Sequence, residues 1–557
     1  VMFDEVSMAY VPQLLSAAAY AREHFIAVGD FRQLSPIAQS EAYKVLNTDI
    51  FSYLHISTGD STIYSHPWLV MLNEQRRMHP RISAFPNRYV YNRLLKDHVS
   101  VKTNRQSVVE KQPLADHAMN LIDLSGTYCA ASKNSDNSRF NIVSAIISFA
   151  TALEAEVAGE DSIGIITPYA AQTRIIRAMI QDYRKTKQTN VVCSTVHQFQ
   201  GSERNLIIFD AVESYPSSKP GWLMSKNDNG SVTRLINVAV TRARGKLITV
   251  ANSRFWLKKF ENTTHIFYRL IKHLLDNENV LSVKEKQLQT YLSGLNTGNN
   301  IRYFSCFEEC SETLKKDLSK AKNRIIVSIP DGQLDPESEK TLLTWLQQEA
   351  GNGIRVLMKS NDFQSLPVAW KAMCWGSDDA VFPVILIDDS VVWYGVPDAR
   401  LMFKDGNWGY STVCKTIFRI TGEHTVELLK SLSDLEYRTI EHQRKPLLEK
   451  SSKDTVNIDE DSDGKEAAGL SKFVEEYSKC PKCKSAMKLM RSRAGKVFLK
   501  CPSCANMEYL TPDFTNWYIS KKYIRCPKCN SGLRAGLGSY GIYVKCDNGH
   551  FIKPDEI

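Results

Sequence analysis

Short β-branched runs, each cut off by a polar turn, set the first limit on what this chain can fold into. Val1–Phe3 runs into Asp4-Glu5, Phe25–Val28 into Gly29-Asp30 and Ile163–Ile166 into Thr167-Pro168, while Leu206–Phe209 and Leu247–Val250 are further runs of the same kind. Amphipathic stretches such as Ala171–Tyr183 lie between them. Strand-length runs alternating with helical periodicity imply parallel-sheet α/β layers. In such sheets the carboxyl ends of the strands border the ligand crevice, so the polar turns are candidate site residues.

The 557 residues are 43% hydrophobic and 24% charged, enough for several cores. No apolar run reaches about 18 residues and no signal-like segment opens the chain, so a soluble, cytoplasmic protein without a membrane partner is expected. A formal net charge of +9 suits a polyanionic partner. The opening at Val1, within a strand-like run, leads to the expectation that this is the C-terminal part of a longer protein. Residues 1–72 and 73–262 carry the first α/β layers, 263–300 a polar connector, and 301–435 a second α/β segment. A charged, Ser-rich stretch over 436–475 reads as a flexible linker, and a cysteine-rich tail divides at 476–520 and 521–557.

The chemistry is concentrated in the turns. Asp4 and Glu5 at a strand end are suited to holding Mg²⁺ and polarising an attacking water. Gln33, after the Gly29-Asp30 turn, offers an amide to a γ-phosphate or its water. "LNEQRRMHP" (Leu72–Pro80), "IGIITPYAAQ" (Ile163–Gln172), "STVHQFQGSE" (Ser194–Glu203) and "RLINVAVTRARGKLITVAN" (Arg234–Asn252) complete an ordered set. In this order the stretches resemble the Upf-like branch of superfamily 1 helicases, the DNA2/Nam-type group, over about residues 1–255.

The resemblance implies RecA-like domains, ATP with Mg²⁺, and DNA or RNA, single-stranded or partly duplex, as partner. It assigns catalysis to Asp4, Glu5, Gln33, Arg77 and Arg242, with both arginines reaching the γ-phosphate. Gly29, Asp30, Gly201 and Glu203 fall on the nucleotide side; Thr167, Tyr169, Thr195 and Gln200 fall on the nucleic-acid side, where Gly201 also permits close approach of the backbone. Arg244 serves either the phosphate or the fold, and Tyr169 either stacks on a base or packs inside. His197 stands where many relatives have an acid, and Arg76 where a tyrosine often stacks on adenine. No G-x-x-x-x-G-K-[ST] loop occurs, so the chain by itself is expected to bind nucleotide poorly and not to hydrolyse it.

Residues 301–435 resemble a phospholipase-D-like domain, whose catalysis needs H-x-K-x4-D. With the acid on Asp388, Val381 and Pro383 stand at the histidine and lysine positions, which implies a degenerate module for binding or for protein partners. The alternatives are a helicase-nuclease with its phosphodiesterase site elsewhere, and a nucleic-acid-binding scaffold that no longer hydrolyses ATP.

Seven of the thirteen cysteines lie between Cys480 and Cys546. Cys480, Cys483, Cys501 and Cys504 form one C-x2-C pair of pairs; Cys526, Cys529, Cys546 and His550 form a second set. Four soft ligands at this spacing close a structural Zn²⁺ site. Both sets resemble the zinc ribbons of type IA topoisomerases, which implies contact with single-stranded nucleic acid. Arg491, Arg493, Lys496, Phe498 and Lys500, then Arg534, Tyr540, Tyr543 and Lys545, interleave charge with aromatic rings between the knuckles.

Overall fold

The structure is a computed structural model describing residues 1–36, 48–56, 66–281, 299–329, 336–360, 374–376, 383–396, 416–432, 469–491 and 497–552, apart from short gaps within these ranges. Arg493, Lys496, Tyr540, Val381 and most of the linker at 436–475 lie outside the described residues. The chain divides into two units, 1–450 and 451–557. Among the described residues, no helix is long and apolar enough to cross a membrane.

In the first unit, β1 (Met2–Phe3) and β2 (Ile26–Ala27) pair in parallel beside α1 (Val11–Ala18). Their small core includes Val6, Leu14, Phe31 and Phe51. The next domain opens with α2 (Pro80–Tyr89) and is built on a parallel sheet of six strands. In chain order its elements are β3 (Met119–Asp123), α3 (Ile142–Val157), β4 (Ile163–Thr167), α4 (Ala170–Arg184), β5 (Val192–Thr195), β6 (Arg204–Asp210), α5 (Ser231–Thr241), β7 (Ala243–Ala251), α6 (Ile266–Asn277) and β8 (Asn279–Leu281). The strands lie in the order β8-β3-β7-β6-β4-β5. This mixed α/β architecture is consistent with a RecA-like domain.

The boundary expected at 262 moves to 281. Helix α6 buries Phe267, Leu270, Ile271 and Leu274, and β8 pairs with β3, so the supposed connector begins as part of the sheet domain.

The middle domain has a mixed seven-stranded sheet. It contains β9 (Ile301–Phe304), α7 (Phe307–Leu318), β10 (Arg324–Ile329), α8 (Pro336–Gly351), β11 (Arg355–Ser360), β12 (Cys374–Gly376), β13 (Val384–Ile387), β14 (Val391–Tyr394), β15 (Ile417–Ile420) and α9 (Glu423–Leu432). One hydrophobic core joins this sheet to the six-stranded one: Ile146, Ile176 and Ile208 belong to the same cluster as Ile326, Leu386 and Val426. Helix α3 therefore buries thirteen of its sixteen residues, as a helix lined with apolar groups on every side must. Asp182 of α4 locks the contact, accepting from the backbone amides of His424 and Thr425 at 3.0 and 2.9 Å and from the Thr425 hydroxyl at 2.7 Å.

The second unit repeats one motif. Helix α10 (Gly469–Tyr477) precedes β16 (Lys488–Arg491), β17 (Val497–Lys500) and β18 (Met507–Tyr509); α11 (Pro512–Lys521) precedes β19 (Leu533–Gly538), β20 (Gly541–Cys546) and β21 (Phe551–Ile552). The division expected at 520/521 instead falls before α11, whose Thr511 cap starts the second copy.

Candidate nucleotide and nucleic-acid site

Asp4 and Glu5 follow β1 on an exposed turn, with Glu5 at φ 54°. A non-glycine residue in this region is held there by its surroundings. Val6 N donates to Val28 O at 3.0 Å just beyond it. A Cβ on Gly29 would stand 2.9 Å from Val6 Cγ2 and 3.1 Å from Ser7 N, so only glycine lets the two strand ends lie this close.

Asp30 is partly exposed and bonds to three protein groups. Its carboxylate accepts from Arg32 N at 2.9 Å, Gln33 Nε2 at 3.0 Å and the Tyr91 hydroxyl at 2.6 Å. It therefore aims the Gln33 amide, whose Oε1 accepts from Arg242 Nη2 at 3.0 Å. Asn237 Nδ2 completes the chain by donating to Tyr91 Oη and Arg32 O. Gln33 and Arg242 are brought together across 209 residues of sequence. Arg242 is 2% exposed, and burial, with Arg77 nearby, pulls its guanidinium down to about 10; Glu5 acts in the opposite sense.

Glu203 is gripped by Arg77 and by Arg244, whose Nε lies 2.7 Å from Glu203 Oε1. Desolvation raises the acid, but Arg244, Arg77 and Arg242 together hold it below its ordinary range. Arg105 Nε donates to Arg77 O at 2.9 Å and fixes that backbone from behind. Arg76 points away, paired with Glu74. Three arginines thus converge on one carboxylate beside Gln33, an arrangement that matches a polyanion better than a lone acid.

On the other side of the sheet edge, Thr167 is fully buried and its hydroxyl has no hydrogen-bond partner; neither do the buried Oε1 and Nε2 of Gln200 nor Arg242 Nε. Unpaired buried polar groups are costly, so each of these is a candidate to take a bond from a ligand. Thr195 is partly exposed, its hydroxyl accepting from Gln198 N at 3.4 Å. Gly201 sits at φ +78° with nothing within 4 Å of a Cβ, so the left-handed turn requires glycine and leaves open space beside it. Burial keeps His197 low, hence neutral at pH 7.

Tyr169 is packed: it is 4% exposed and its hydroxyl donates to Glu213. The stacking role is not available to a ring in this position. Gln172 ties the same turn down, donating to Asp210 Oδ2 at 2.6 Å and accepting from Asn141 N at 2.8 Å. Tyr91, Asn237 and Arg105 were not singled out in sequence. Only Asn237 left a trace there, as a polar residue inside the apolar run of α5.

In the tail, the ligand atoms of Cys480, Cys483, Cys501 and Cys504 lie within 4.8 Å of one another, as do those of Cys526, Cys529, Cys546 and His550. Cys483 Sγ is 3.3 Å from Cys501 Sγ, Cys480 Sγ 3.6 Å from Cys504 Sγ, and Cys529 Sγ 3.7 Å from Cys546 Sγ. A tetrahedral ion with S ligands at about 2.3 Å needs edges of about 3.8 Å. Both quartets fit one.

Residues 58–254 match the family model described as an AAA domain. Helicase sen1 of Schizosaccharomyces pombe is 29% identical over 258 residues, covering 45% of this chain and 14% of its own length. DNA polymerase alpha-associated DNA helicase A of the same yeast is 30% identical over 299 residues, 51% of this chain and 41% of its own. The chain thus spans less than half the length of these relatives. Among solved structures, NucT from Helicobacter pylori covers 26% of this chain and 96% of its own at 12% identity, with a TM-score of 0.18, too low to carry an argument.

Proposed function

We propose that this chain supplies motor elements of an ATP-dependent superfamily 1 helicase, acting on DNA or RNA. The observation that carries the reading is the partly buried chain Tyr91–Asp30–Gln33–Arg242, which joins the first segment to the six-stranded domain beside the Arg77–Glu203–Arg244 cluster. Asp4 would hold Mg²⁺, which when bound offsets phosphate charge and orders the nucleotide. Glu5 accepts a proton from the attacking water, Gln33 orients that water, and Arg77 with Arg242 stabilises charge on the phosphoryl oxygens. Thr195 and Gln200 hold the nucleic-acid backbone, and Gly201 leaves room for it.

The two sulfur-rich quartets are structural Zn²⁺ sites. The middle domain is a phospholipase-D-like module without phosphodiesterase activity. Supporting this, Asp388 accepts from the backbone amides of Lys322, Asn323 and Arg324, which uses the carboxylate for the turn into β10. Asp388→Ala should therefore lower stability without removing any nuclease activity.

The deciding test is ATP hydrolysis by the intact protein with and without single-stranded DNA and RNA, beside Glu5→Gln. Stimulation by one polymer, lost in Glu5→Gln, identifies the motor and its track; no hydrolysis under any condition overturns the reading in favour of a binding scaffold.

A further inference from the structure

Arg77 stands in a bend between the short strand Glu74–Gln75 and α2, where neither ladder nor helix bonds fix a backbone. Both of its main-chain groups are nonetheless taken. Its N–H donates to Gln75 Oε1 at 3.0 Å, and its carbonyl accepts from Arg105 Nε at 2.9 Å. The next two residues are held as well: Met78 N donates to Gln75 Oε1 at 2.8 Å, and His79 N donates to Arg244 O at 2.7 Å. Gln75 Nε2 donates to Met78 O at 2.9 Å and to Asp97 Oδ1 at 2.5 Å, so all four bonds its amide can make are used within the fold. No part of that amide is left to read a ligand.

The groups that hold the bend from outside, Asp97 and Arg105, come from one stretch, 22 and 28 residues along the chain from their partners. Lys96–Asp97 pairs in parallel with Glu74–Gln75, and His98 N donates to Gln75 O at 3.0 Å. Asp97 lies at the surface, yet its Oδ1 also accepts from the hydroxyl of Ser83, a buried residue of α2, at 2.6 Å. The helix that follows, Ser100–Val109, rests on β7: a Cβ on Gly245 would stand 2.6 Å from Val108 Cβ, so only glycine lets the helix come this close. Because Gly245 follows Arg244, this contact sets Arg105 beside the Arg77–Glu203–Arg244 cluster. Burial and then Arg244 draw the Arg105 guanidinium down, with Glu203 acting in the opposite sense. The stretch is thus a brace, docked on the sheet at one end and gripping the bend at the other.

We propose that Gln75, Asp97 and Arg105 are positioning residues, which hold the Arg77 backbone so that its guanidinium meets the phosphoryl group without reordering the loop. A charge that stabilises a transition state is most effective when it is in place before the reaction, and a loop that had to order itself first would offset part of that gain. The Arg77 side chain, 40% exposed and paired with Glu203, is the part left to change partner. The three residues act through Arg77 rather than on the nucleotide. The proposal rests on the helicase reading for what Arg77 does, and on the hydrogen bonds alone for how Arg77 is held.

The test measures steady-state ATP hydrolysis by the intact protein with the stimulating polymer. Gln75→Ala and Arg105→Ala should each lower kcat about 10- to 100-fold and change KM for ATP less than about threefold, because a displaced arginine loses its transition-state contact first. Asp97→Ala should lower kcat by about 3- to 10-fold, and Asp97→Asn, which keeps an acceptor for Gln75 and Ser83, should restore it. In an Arg77→Ala background none of these changes should lower kcat further, a result that loss of stability by itself would not give. Unchanged kcat in both Gln75→Ala and Arg105→Ala overturns the proposal, as do losses that multiply in full with that of Arg77→Ala. Amide hydrogen exchange without nucleotide gives a readout independent of hydrolysis: exchange at residues 77–79 should rise about tenfold in Gln75→Ala while α2 keeps its protection. Were the parent to hydrolyse no ATP, the helicase reading would fall and exchange would judge the brace by itself; unchanged exchange at 77–79 overturns it.

Discussion

The two units of this chain meet the same requirement, a stable interior, by different means. In the first, two sheets share one apolar core, and α3 lies in it with thirteen buried residues. In the second, the core is small, and Cys480, Cys501, Cys526 and Cys546 are themselves among its buried members. Unit size fits the contrast: a short segment buries little apolar surface to offset chain entropy, and in the second unit cysteines that could hold a metal ion stand within the core itself. On the proposed function, polar groups inside the first unit serve position or ligand, whereas those inside the second hold the fold.

The largest effect expected from that contrast is on chelation. Removing metal should unfold the tail, since ligation contributes roughly 10–16 kcal/mol in comparable sites, and should leave the first unit's melting transition in place. Differential scanning calorimetry with and without chelator checks this, and a single shared transition would break the comparison.

Next comes Arg242. On the proposed role, in which this side chain meets the phosphate, its alanine variant should lose about 10³- to 10⁵-fold in ATP hydrolysis by the intact protein while remaining folded. If stability collapses and hydrolysis falls only in proportion, the buried guanidinium is structural.

A smaller loss is expected at the seam between the sheets. Asp182→Ala removes three acceptor bonds from the start of α9 and should destabilise the first unit by about 2–4 kcal/mol. Gly422→Ala should act in the same direction, since its Cβ would stand 2.2 Å from Asp182 Oδ2. Urea unfolding that splits into two steps in these variants would show that the seam carries the shared cooperativity.

The smallest effect depends on pH. Burial pushes Asp210 up to about 6, against the donors Gln172, Ser144, Val212 and Ser148. Its folded value lies above its unfolded one, so the native state holds a proton that the unfolded chain releases, and stability from this group falls between about pH 4 and pH 6. Asp210→Asn should therefore gain about 1–3 kcal/mol relative to the parent at pH 8 compared with pH 4. Denaturant titrations at the two pH values test it; a constant difference would mean that Asp210 is ionised throughout.

Much of the placement was legible as short segments. Gln33 with Arg242, and Arg77 with Glu203, come from stretches singled out in sequence and meet in space, and the cysteine sets read from their spacing lie within 4.8 Å of one another. What was not legible is the distant partner: Asp30 accepts from Tyr91, 61 residues away, and Tyr169, open in sequence between stacking and packing, donates to Glu213, 44 residues later.

Sequence by itself determined the local elements, since strand alternation, helix periodicity and two-residue metal spacing act over a few neighbours. It placed the strands at Ile163, Leu206 and Leu247 and the members of both quartets. Tertiary structure alone decided which polar groups are satisfied. Thr167 and Gln200 are left without partners, Asp388 is claimed by three amides, and the middle sheet buries a helix that already had a sheet of its own. Hydrogen-bond satisfaction and shared burial depend on groups far apart along the chain, and those distances are set only when the sheets close on one another.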